Sequence, residues 1–168
     1  MRDLSGVILR PFKKTDIAPI TAIYAHYVKT SAVTFDIEVP DVDQMAKKFA
    51  ALEKAGHPLI IAQYQEDVAG FAYASSYRPR RAYRFTCEDA IYLDPKMLGR
   101  GIGSLLLGEL VEKSRRFGFN QMIAIITDGT DNSIGLHKKH GFEILGRFPE
   151  LGYKFNRWHD TVHMQKKL

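Results

Sequence analysis

The sequence predicts an α/β (α+β) fold, a mixed sheet with helices on its faces, in one domain that spans residues 1–168. The predicted elements follow the order β-α-α-β-β-β-α-β-α-β-β, which implies such a sheet. Residues 122–126 form an unbroken apolar run, typical of a strand buried on both faces. No linker, repeat or low-complexity segment divides the 168 residues, which are enough to bury a substantial core.

The first half of the chain predicts a strand, two helices and a hairpin. Residues 7–10 form the first strand. The next segment is predicted to be helical, because apolar side chains recur at helical spacing at Ile20, Ile23, Tyr24 and Tyr27. Asp41 and Gln44 resemble a capping box that begins a second helix. Residues 59–64 and 68–77 are apolar runs joined by a short polar turn, which indicates an antiparallel hairpin.

The second half predicts the remaining strands around two further helices. Residues 83–93 form the fourth strand, and a helix spans about residues 102–117. After the buried strand comes a short helix at about residues 133–140. A glycine follows each of these two helices and can end it. Residues 142–148 and 161–165 complete the predicted sheet.

Three glycines stand at alternate positions between the fourth strand and the helix that follows it. The segment Gly99-Arg100-Gly101-Ile102-Gly103-Ser104 lets the backbone approach a ligand closely, because glycine adopts positive φ without strain. The unpaired N–H groups and positive dipole end of the following helix point into this turn, which predicts an anion site suited to a pyrophosphate. The spacing matches neither a Walker A loop nor a Gly-x-Gly-x-x-Gly dinucleotide fingerprint. The alternative is that this segment is only a tight loop before a helix and binds no anion.

Composition and charge narrow the class of ligand. The chain has 24 basic and 19 acidic residues, a net charge of +5 and a single cysteine, Cys87. It lacks the run of ~20 apolar residues that crosses a bilayer, and its scattered histidines lack metal-ligand spacing. We therefore expect a cytoplasmic protein without metal or membrane partner. Four arginines crowd residues 78–84, but a nucleic-acid site would want a longer basic stripe, so a small anionic ligand is favoured over nucleic acid. The alternative is that these arginines lie on a solvated loop and bind no ligand.

Several segments together resemble one enzyme family. The strand, glycine turn and helix, followed by a buried strand, a short helix and residues 141–142, resemble the GNAT-type acyl-CoA N-acetyltransferases. Nearly the whole chain resembles their phosphinothricin and methionine-sulfoximine acetyltransferase branch, through Thr34-Phe35-Asp36, Arg81-Ala82-Tyr83, Thr86-Cys87-Glu88, Ile91-Tyr92-Leu93, Ser133-Ile134-Gly135-Leu136-His137 and residues 152–160. The resemblance implies the GNAT fold with a mostly antiparallel sheet and helices on both faces, acetyl-CoA as co-substrate, a small amino acid as acceptor, and a homodimer.

The resemblance also implies which residues hold the cofactor. These are Ile91, Tyr92, Leu93, Gly99, Arg100, Gly101, Ile102, Gly103 and Ser104. Thr130, Asn132 and Ser133, at the start of the short helix, bind the pantetheine arm or cap that helix. Leu98 stands where the superfamily usually has Gln or Arg, and Thr130 where the branch usually has Asn. Because most pyrophosphate contacts should be backbone amides, we expect weaker cofactor binding rather than none.

Acetyl transfer to an amine needs a base, a polarised thioester carbonyl and a proton for the departing thiolate. Glu88 is the candidate base, since the amine of an amino acid is largely protonated at neutral pH. Cys87 points to the opposite face of the strand, which favours direct transfer over a cysteine acyl-enzyme. A backbone N–H near Tyr92 or Leu93 would polarise the carbonyl, if that strand is irregular there. His137 occupies the position of the superfamily's proton-donating tyrosine; a structural role is the alternative.

The acceptor site is predicted around the arginine-rich segment. Arg78, Arg81 and Tyr83 would clamp a carboxylate or phosphinate. The resemblance adds Thr86 to the predicted acceptor site. Phe35 and Tyr73 would either line the acceptor pocket or belong to the hydrophobic core. Lys154 and Trp158 shape the pocket or a dimer contact. The alternative reaction is acetylation of another amine, such as a protein N-terminus or a lysine. The alternative class of protein is a non-catalytic acetyl-CoA-binding module.

Overall fold

The computed structural model describes residues 4–168, so the first three residues of the predicted domain lie outside the described part. Its strands are β1 (Val7–Pro11), β2 (Leu59–Tyr64), β3 (Asp67–Ser76), β4 (Thr86–Leu93), β5 (Gln121–Thr127), β6 (Glu143–Lys154) and β7 (Arg157–Lys167). Its α-helices are α1 (Ile17–Thr30), α2 (Val42–Lys54), α3 (Ile102–Phe117) and α4 (Asp131–Lys139). The strands form one sheet in the order β1-β2-β3-β4-β5-β7-β6.

The predicted mixed, mostly antiparallel sheet is confirmed. Within residues 4–168, β4 and β5 form the parallel pair, and the five other neighbouring pairs are antiparallel. The parallel pairing is short, because it joins residues 86–88 to residues 121–123 and then stops. Beyond Glu88 the two strands diverge, while β5 continues its pairing with β7 as far as Thr127. This divergence creates a gap in the middle of the sheet.

Helices pack against both faces of the sheet. On one face α3 buries Leu106 and its neighbours in a cluster that includes Cys87 of β4. On the other face α1 and α2 cover Phe71 of β3, with Phe49 of α2 fully buried between them. That second cluster includes no described residue of β5, β6 or β7. The half of this face that those three strands form is therefore more open than the half under the helices.

The openness of this half corrects the prediction for β5. The apolar run at residues 122–126 indicated a strand buried on both faces. In the structure, Met122, Ala124 and Ile126 are buried against the α3 side, but Ile123 and Ile125 on the other face are half-buried. The periodicity of an apolar run cannot show whether a helix covers the second face.

Local signals in the sequence set the helix ends as predicted. Asp41 accepts a hydrogen bond from the backbone N–H of Gln44 at 2.7 Å, and the Gln44 side chain accepts one from the Asp41 N–H at 2.9 Å. Gly118 follows α3 with φ of 103°, a conformation in which a residue with a Cβ would be strained. These contacts satisfy backbone groups that a helix end leaves free.

The largest differences from the predicted boundaries are in three strands, β4, β6 and β7. The fourth strand begins at Thr86, because Arg81–Tyr83 form a turn of 3-10 helix before it. The last two strands are longer than predicted, and β6 and β7 continue through residues 152–160 as a hairpin. Phe155 and Asn156 make its two-residue turn with φ of 53° and 57°, the left-handed geometry that suits the twist of a tight hairpin.

Candidate active site

The glycine turn has the backbone geometry that the anion-site prediction requires. Gly99 and Gly101 have φ of 77° and 96°, and α3 begins at the next residue, Ile102. In the part of the chain that the structure describes, no side chain caps this helix end. Its first amides therefore have no side-chain acceptor, and glycines stand at positions 99, 101 and 103 of the turn. This arrangement fits a diphosphate.

Lys139 and Arg100 add positive charge near the turn, and Ser104 adds a hydroxyl. The Ser104 hydroxyl lies 2.9 Å from Nε2 of His140, and Lys139 donates to the same hydroxyl at 3.4 Å. Lys139 was not predicted from the sequence, because it lies 35 residues further along the chain in α4. Arg100 packs its guanidinium over the ring of Tyr64 at 5.7 Å. Lys139 and Arg100 thus place positive charge near a turn where Leu98 supplies none.

The gap between β4 and β5 exposes one edge of β4. Past Glu88, the β5 side of residues 89–93 has no strand partner among the described residues. The pairing of β4 with β3 runs without a register shift from Cys87 to Leu93, so the irregularity expected near Tyr92 is absent from that pairing. The free edge results from strand divergence instead. Tyr27, which the sequence did not single out, donates to the Leu93 carbonyl at 2.7 Å.

Glu88 lies at the point where the two strands part. It pairs with Ser75 of β3 and Ile123 of β5, and its side chain is half-buried. Cys87, its neighbour, is fully buried on the α3 side, as strand alternation predicted. Burial raises the pKa of Glu88 and the charge of Asp89 adds to the rise, whereas the Arg78 guanidinium partly offsets both. A raised pKa makes the Glu88 carboxylate a stronger base than a free glutamate.

The structure places His137 in a buried ion pair, and this disagrees with the general-acid hypothesis. Its Nε2 lies 3.0 Å from Oδ2 of Asp89, and its Nδ1 lies 2.7 Å from the Ser133 carbonyl. The two side chains are 5% and 4% exposed. A proton donor needs a nitrogen that faces the departing sulfur, and both nitrogens are engaged within the protein. The alternative, a structural role for His137, fits this geometry.

The Asp89–His137 pair joins β4 to α4 across the gap. Burial lowers the pKa of the ring, but the hydrogen bond and the charge of Asp89 outweigh burial, so the pKa of His137 is raised. The Phe142 ring packs edge-on against the imidazole at 5.0 Å. The pair therefore fixes the position of α4, whose first turn borders the gap.

The polar residues at the start of α4 do not cap it through their side chains. Thr130 occupies the N-cap position, but its hydroxyl donates to the Thr127 carbonyl rather than to the helix. Asn132 is exposed and Ser133 is half-buried. Asn132 and Ser133 stay predicted contacts of the cofactor arm.

A cavity of about 370 Å³ lies on the open half of the sheet, and its lining includes Ile123, the β5 partner of Glu88. It brings together two of the predicted acceptor residues, Tyr83 and Thr86. Arg78 is exposed beside it, and its charge acts on both Glu88 and His163. The rest of the lining comes from strands that the sequence did not implicate: Gln121, Ile123, Leu145, Phe148, His163, Met164 and Gln165, together with Tyr77.

The structure does not bring the other predicted acceptor residues into this cavity. Tyr73 is 6% exposed and belongs to the core under α1 and α2, which favours its core alternative. Arg81 is exposed in the 3-10 turn beyond the cavity rim. Phe35 lies on the segment between α1 and α2, where its ring meets His159 at 6.1 Å.

Lys154 ties the Phe35 segment to the β6–β7 hairpin. Its ammonium is buried and donates to the carbonyls of Ser31 and Thr34 at 2.9 Å and 2.8 Å. The Phe35 ring packs directly on Gly152, because a Cβ at this position would stand 2.3 Å from the ring. From the sequence, Lys154 could shape the acceptor pocket or a dimer contact. In the structure it anchors the loop between α1 and α2.

Two further findings concern ligands and membranes. Among residues 4–168, no three His, Cys, Asp or Glu side chains are grouped so that they could hold a metal ion. A search of the same residues finds no helix with the length and apolarity to cross a membrane.

Comparison with known proteins identifies the family. Residues 9–163 match the family described as acetyltransferase (GNAT) domain. The chain is 41% identical over 161 residues to a phosphinothricin N-acetyltransferase of Alcaligenes faecalis, across 95% of this chain and 82% of that protein. It is 34% identical over 155 residues to an L-methionine sulfoximine/L-methionine sulfone acetyltransferase of Salmonella typhimurium, across 92% of this chain and 91% of that protein.

A solved structure supports the same assignment. A GNAT superfamily phosphinothricin acetyltransferase from Sinorhizobium meliloti, in complex with acetyl-CoA, has a TM-score of 0.94 and 41% identity, across 97% of this chain and 89% of that one. The chain therefore belongs to the GNAT acetyltransferase family and is an N-acetyltransferase. The resemblance predicted from the sequence is confirmed.

Proposed function

We propose that this enzyme transfers the acetyl group of acetyl-CoA directly to the α-amine of a small amino acid or analogue of the phosphinothricin or methionine sulfoximine type. The observation that carries the proposal is the order of three features along β4 and the turn that follows it. Glu88 stands where β4 parts from β5, the free edge of β4 comes next, and the glycine turn at the start of α3 follows the strand. Related proteins with these acceptors in their names support the choice of substrate.

The residues of this chain then have distinct tasks. Amides of residues 99–104 would hold the diphosphate, and Arg100 and Lys139 would add positive charge beside it. Bound there, acetyl-CoA would supply an activated thioester, and the free edge of β4 at residues 91–93 would offer N–H groups to its carbonyl oxygen. Glu88 would remove the proton from the amine, directly or through a water. The buried Cys87 takes no part.

The acceptor would lie in the cavity beside Glu88. Arg78 stands where it can pair with the carboxylate of an amino acid while the amine faces Glu88. Thr86 and Tyr83 line the same cavity and can donate hydrogen bonds to the bound molecule. The cavity volume of about 370 Å³ suits a small molecule.

An assay of thiol release from acetyl-CoA tests this proposal. The panel would contain phosphinothricin, methionine sulfoximine, methionine sulfone, standard amino acids, a peptide with a free N-terminus and a lysine peptide, with an acceptor-free control. We expect release to depend on one or more of the free amino acids. The single cysteine, Cys87, is fully buried, so the folded protein adds little thiol background. Turnover confined to the peptides would favour the alternative acceptor.

A measurement of coenzyme A binding distinguishes an acetyltransferase from a non-catalytic binding protein and from a protein that does not bind coenzyme A. Calorimetry with the folded protein should detect association with coenzyme A below millimolar concentration. Association without transfer to any amine would indicate a non-catalytic acetyl-CoA-binding protein. No association at millimolar coenzyme A would contradict the role proposed for the glycine turn.

We also propose that the enzyme is a homodimer whose subunits meet at the β6–β7 hairpin. Large apolar side chains near the tip of this hairpin are between 52% and 57% exposed, namely Leu151, Tyr153, Phe155 and Trp158. An exposed apolar patch of this kind is typical of an interface.

Light scattering tests the dimer. The expected mass is twice 19.1 kDa, and Leu151→Glu should shift it toward 19.1 kDa. Ile8→Glu, at an equally exposed position on β1 at the opposite edge of the sheet, is the control and should stay dimeric. A wild-type protein that is monomeric at high micromolar concentration would contradict the dimer.

A further inference from the structure

The cavity beside Glu88 extends across three strands, β4, β5 and β7. Thr86 of β4, Ile123 of β5 and His163 of β7 all line it. Ile123 stands beside Glu88 on one side and Gln165 on the other. Neighbouring strands lie about 4.8 Å apart, so about 10 Å separates Glu88 from β7. An amine at Glu88 therefore leaves room for a side chain of four or five atoms to extend toward β7.

His163 is the titratable side chain on the β7 wall of this cavity. Its Nε2 lies 3.1 Å from the Thr161 hydroxyl, and its ring packs on Phe148 with 4.1 Å between ring centroids. These contacts fix the ring in place. Tyr77 and Tyr83 are the other titratable side chains that line the cavity.

We propose that His163 selects the acceptor by the charge of the polar group at the end of its side chain. The inference rests on the proposed function. A neutral imidazole suits a neutral sulfone or sulfoximine, because it can hydrogen-bond without a charge to neutralise. A protonated imidazole suits an anionic phosphinate, because hydrogen bonds between charged groups are stronger than neutral ones. Acceptor preference then depends on pH.

The surroundings of the ring set the direction of this dependence. Burial lowers the pKa of His163 and the positive charge of Arg78 lowers it further. The ring is therefore neutral at pH 7.5 and gains its proton below its ordinary range. Glu88 pairs with Ile123, which lines the cavity, but Arg78 is the charged residue that acts on this ring.

A competition experiment tests the inference. Equal concentrations of phosphinothricin and methionine sulfone would be incubated with the enzyme and acetyl-CoA between pH 5.5 and 8.5, and the two products measured by mass spectrometry. The product ratio equals the ratio of the two kcat/KM values. The titrations of Glu88 and of two closely similar α-amines nearly cancel in this ratio. We expect the preference for phosphinothricin to rise as the pH falls from 8.5 to 5.5, toward a limit of about tenfold for the fully protonated ring, which is the difference between charged and neutral hydrogen bonds.

Variants connect this effect to His163. His163→Gln keeps a neutral hydrogen-bonding group and should hold the ratio near its alkaline value at every pH. His163→Phe is the second variant, should the first fail to fold, and its ratio should also lose the pH dependence. His26→Gln removes an exposed imidazole on α1 and should keep the wild-type profile.

The possible outcomes distinguish failure of the inference about His163 from failure of the proposed function. A flat ratio in the wild type, or an unchanged pH profile in the folded His163 variants, would overturn the inference about His163 and leave the proposed function intact. Failure of the wild type to acetylate either acceptor, in contrast, would overturn the inference together with its substrate class.

Discussion

Glu88→Gln should lower kcat/KM for the amino acid by about 10²–10⁴-fold at pH 7, which is the usual contribution of a positioned general base. The substitution removes the group that would accept the proton of the amine but keeps the shape of the side chain. The glycine turn follows the far end of β4, several residues beyond Glu88, so the KM for acetyl-CoA should change less than threefold. Initial rates with each substrate varied in turn would measure both parameters.

The pH profile gives the second half of this test. Burial and Asp89 raise the pKa of Glu88, and a base works in its deprotonated form. Wild-type activity should therefore fall as the pH drops through that raised pKa, and this acidic limb should be missing from the residual activity of Glu88→Gln. Glu109→Gln, a partly exposed carboxylate on α3, is the control and should match the wild type. Full activity of Glu88→Gln across pH 6–9 would show that another group is the base.

Asp89→Ala should have the largest effect on stability, a loss of about 3 kcal/mol in the free energy of unfolding. Breaking a buried pair usually costs about 3–5 kcal/mol, and the lower end applies because an imidazole can release its proton. For a chain of this size that loss corresponds to a decrease in Tm of about 10 °C. Thermal and urea unfolding would measure it. Asp128→Ala breaks the exposed pair with Arg147 and should cost less than about 1 kcal/mol.

The stability difference should also depend on pH in a defined direction. The folded-state pKa of His137 is raised above that of the unfolded chain, which is about 6.5. The ion pair therefore contributes fully below pH 6.5 and loses its charge as the pH rises through the raised value. The difference between wild type and Asp89→Ala should be larger at pH 6 than at pH 9. A difference that stays constant over this range would mean that His137 is neutral in the folded protein.

The two parts of the candidate site differed in how well the sequence predicted them. The cofactor turn is local, because glycine conformation and the start of α3 depend on residues within a few positions of each other. Its geometry therefore agrees with the prediction. The acceptor cavity is not local: residues from β5, β6 and β7 line it, and nothing in residues 142–165 marked them as neighbours of Thr86.

His137 shows the same distinction at a single residue. Its place in the sequence, in the segment that resembles the acetyltransferases, left two roles open, a proton donor and a structural residue. Its role depended on Asp89, which is 48 residues away and reaches it across the gap in the sheet. Lys154 is a similar case, since its partners Ser31 and Thr34 lie more than a hundred residues earlier in the chain.

The sequence by itself determined the elements of the sheet, the helix caps, the cofactor turn and the family, because each depends on short-range patterns or on segments that keep their order. Tertiary structure alone decided which side chains share a cavity and which histidine is locked in an ion pair. Those outcomes depend on strand order and on the divergence of β4 from β5. Side chains far apart in the chain then meet, and their burial and charges act on one another.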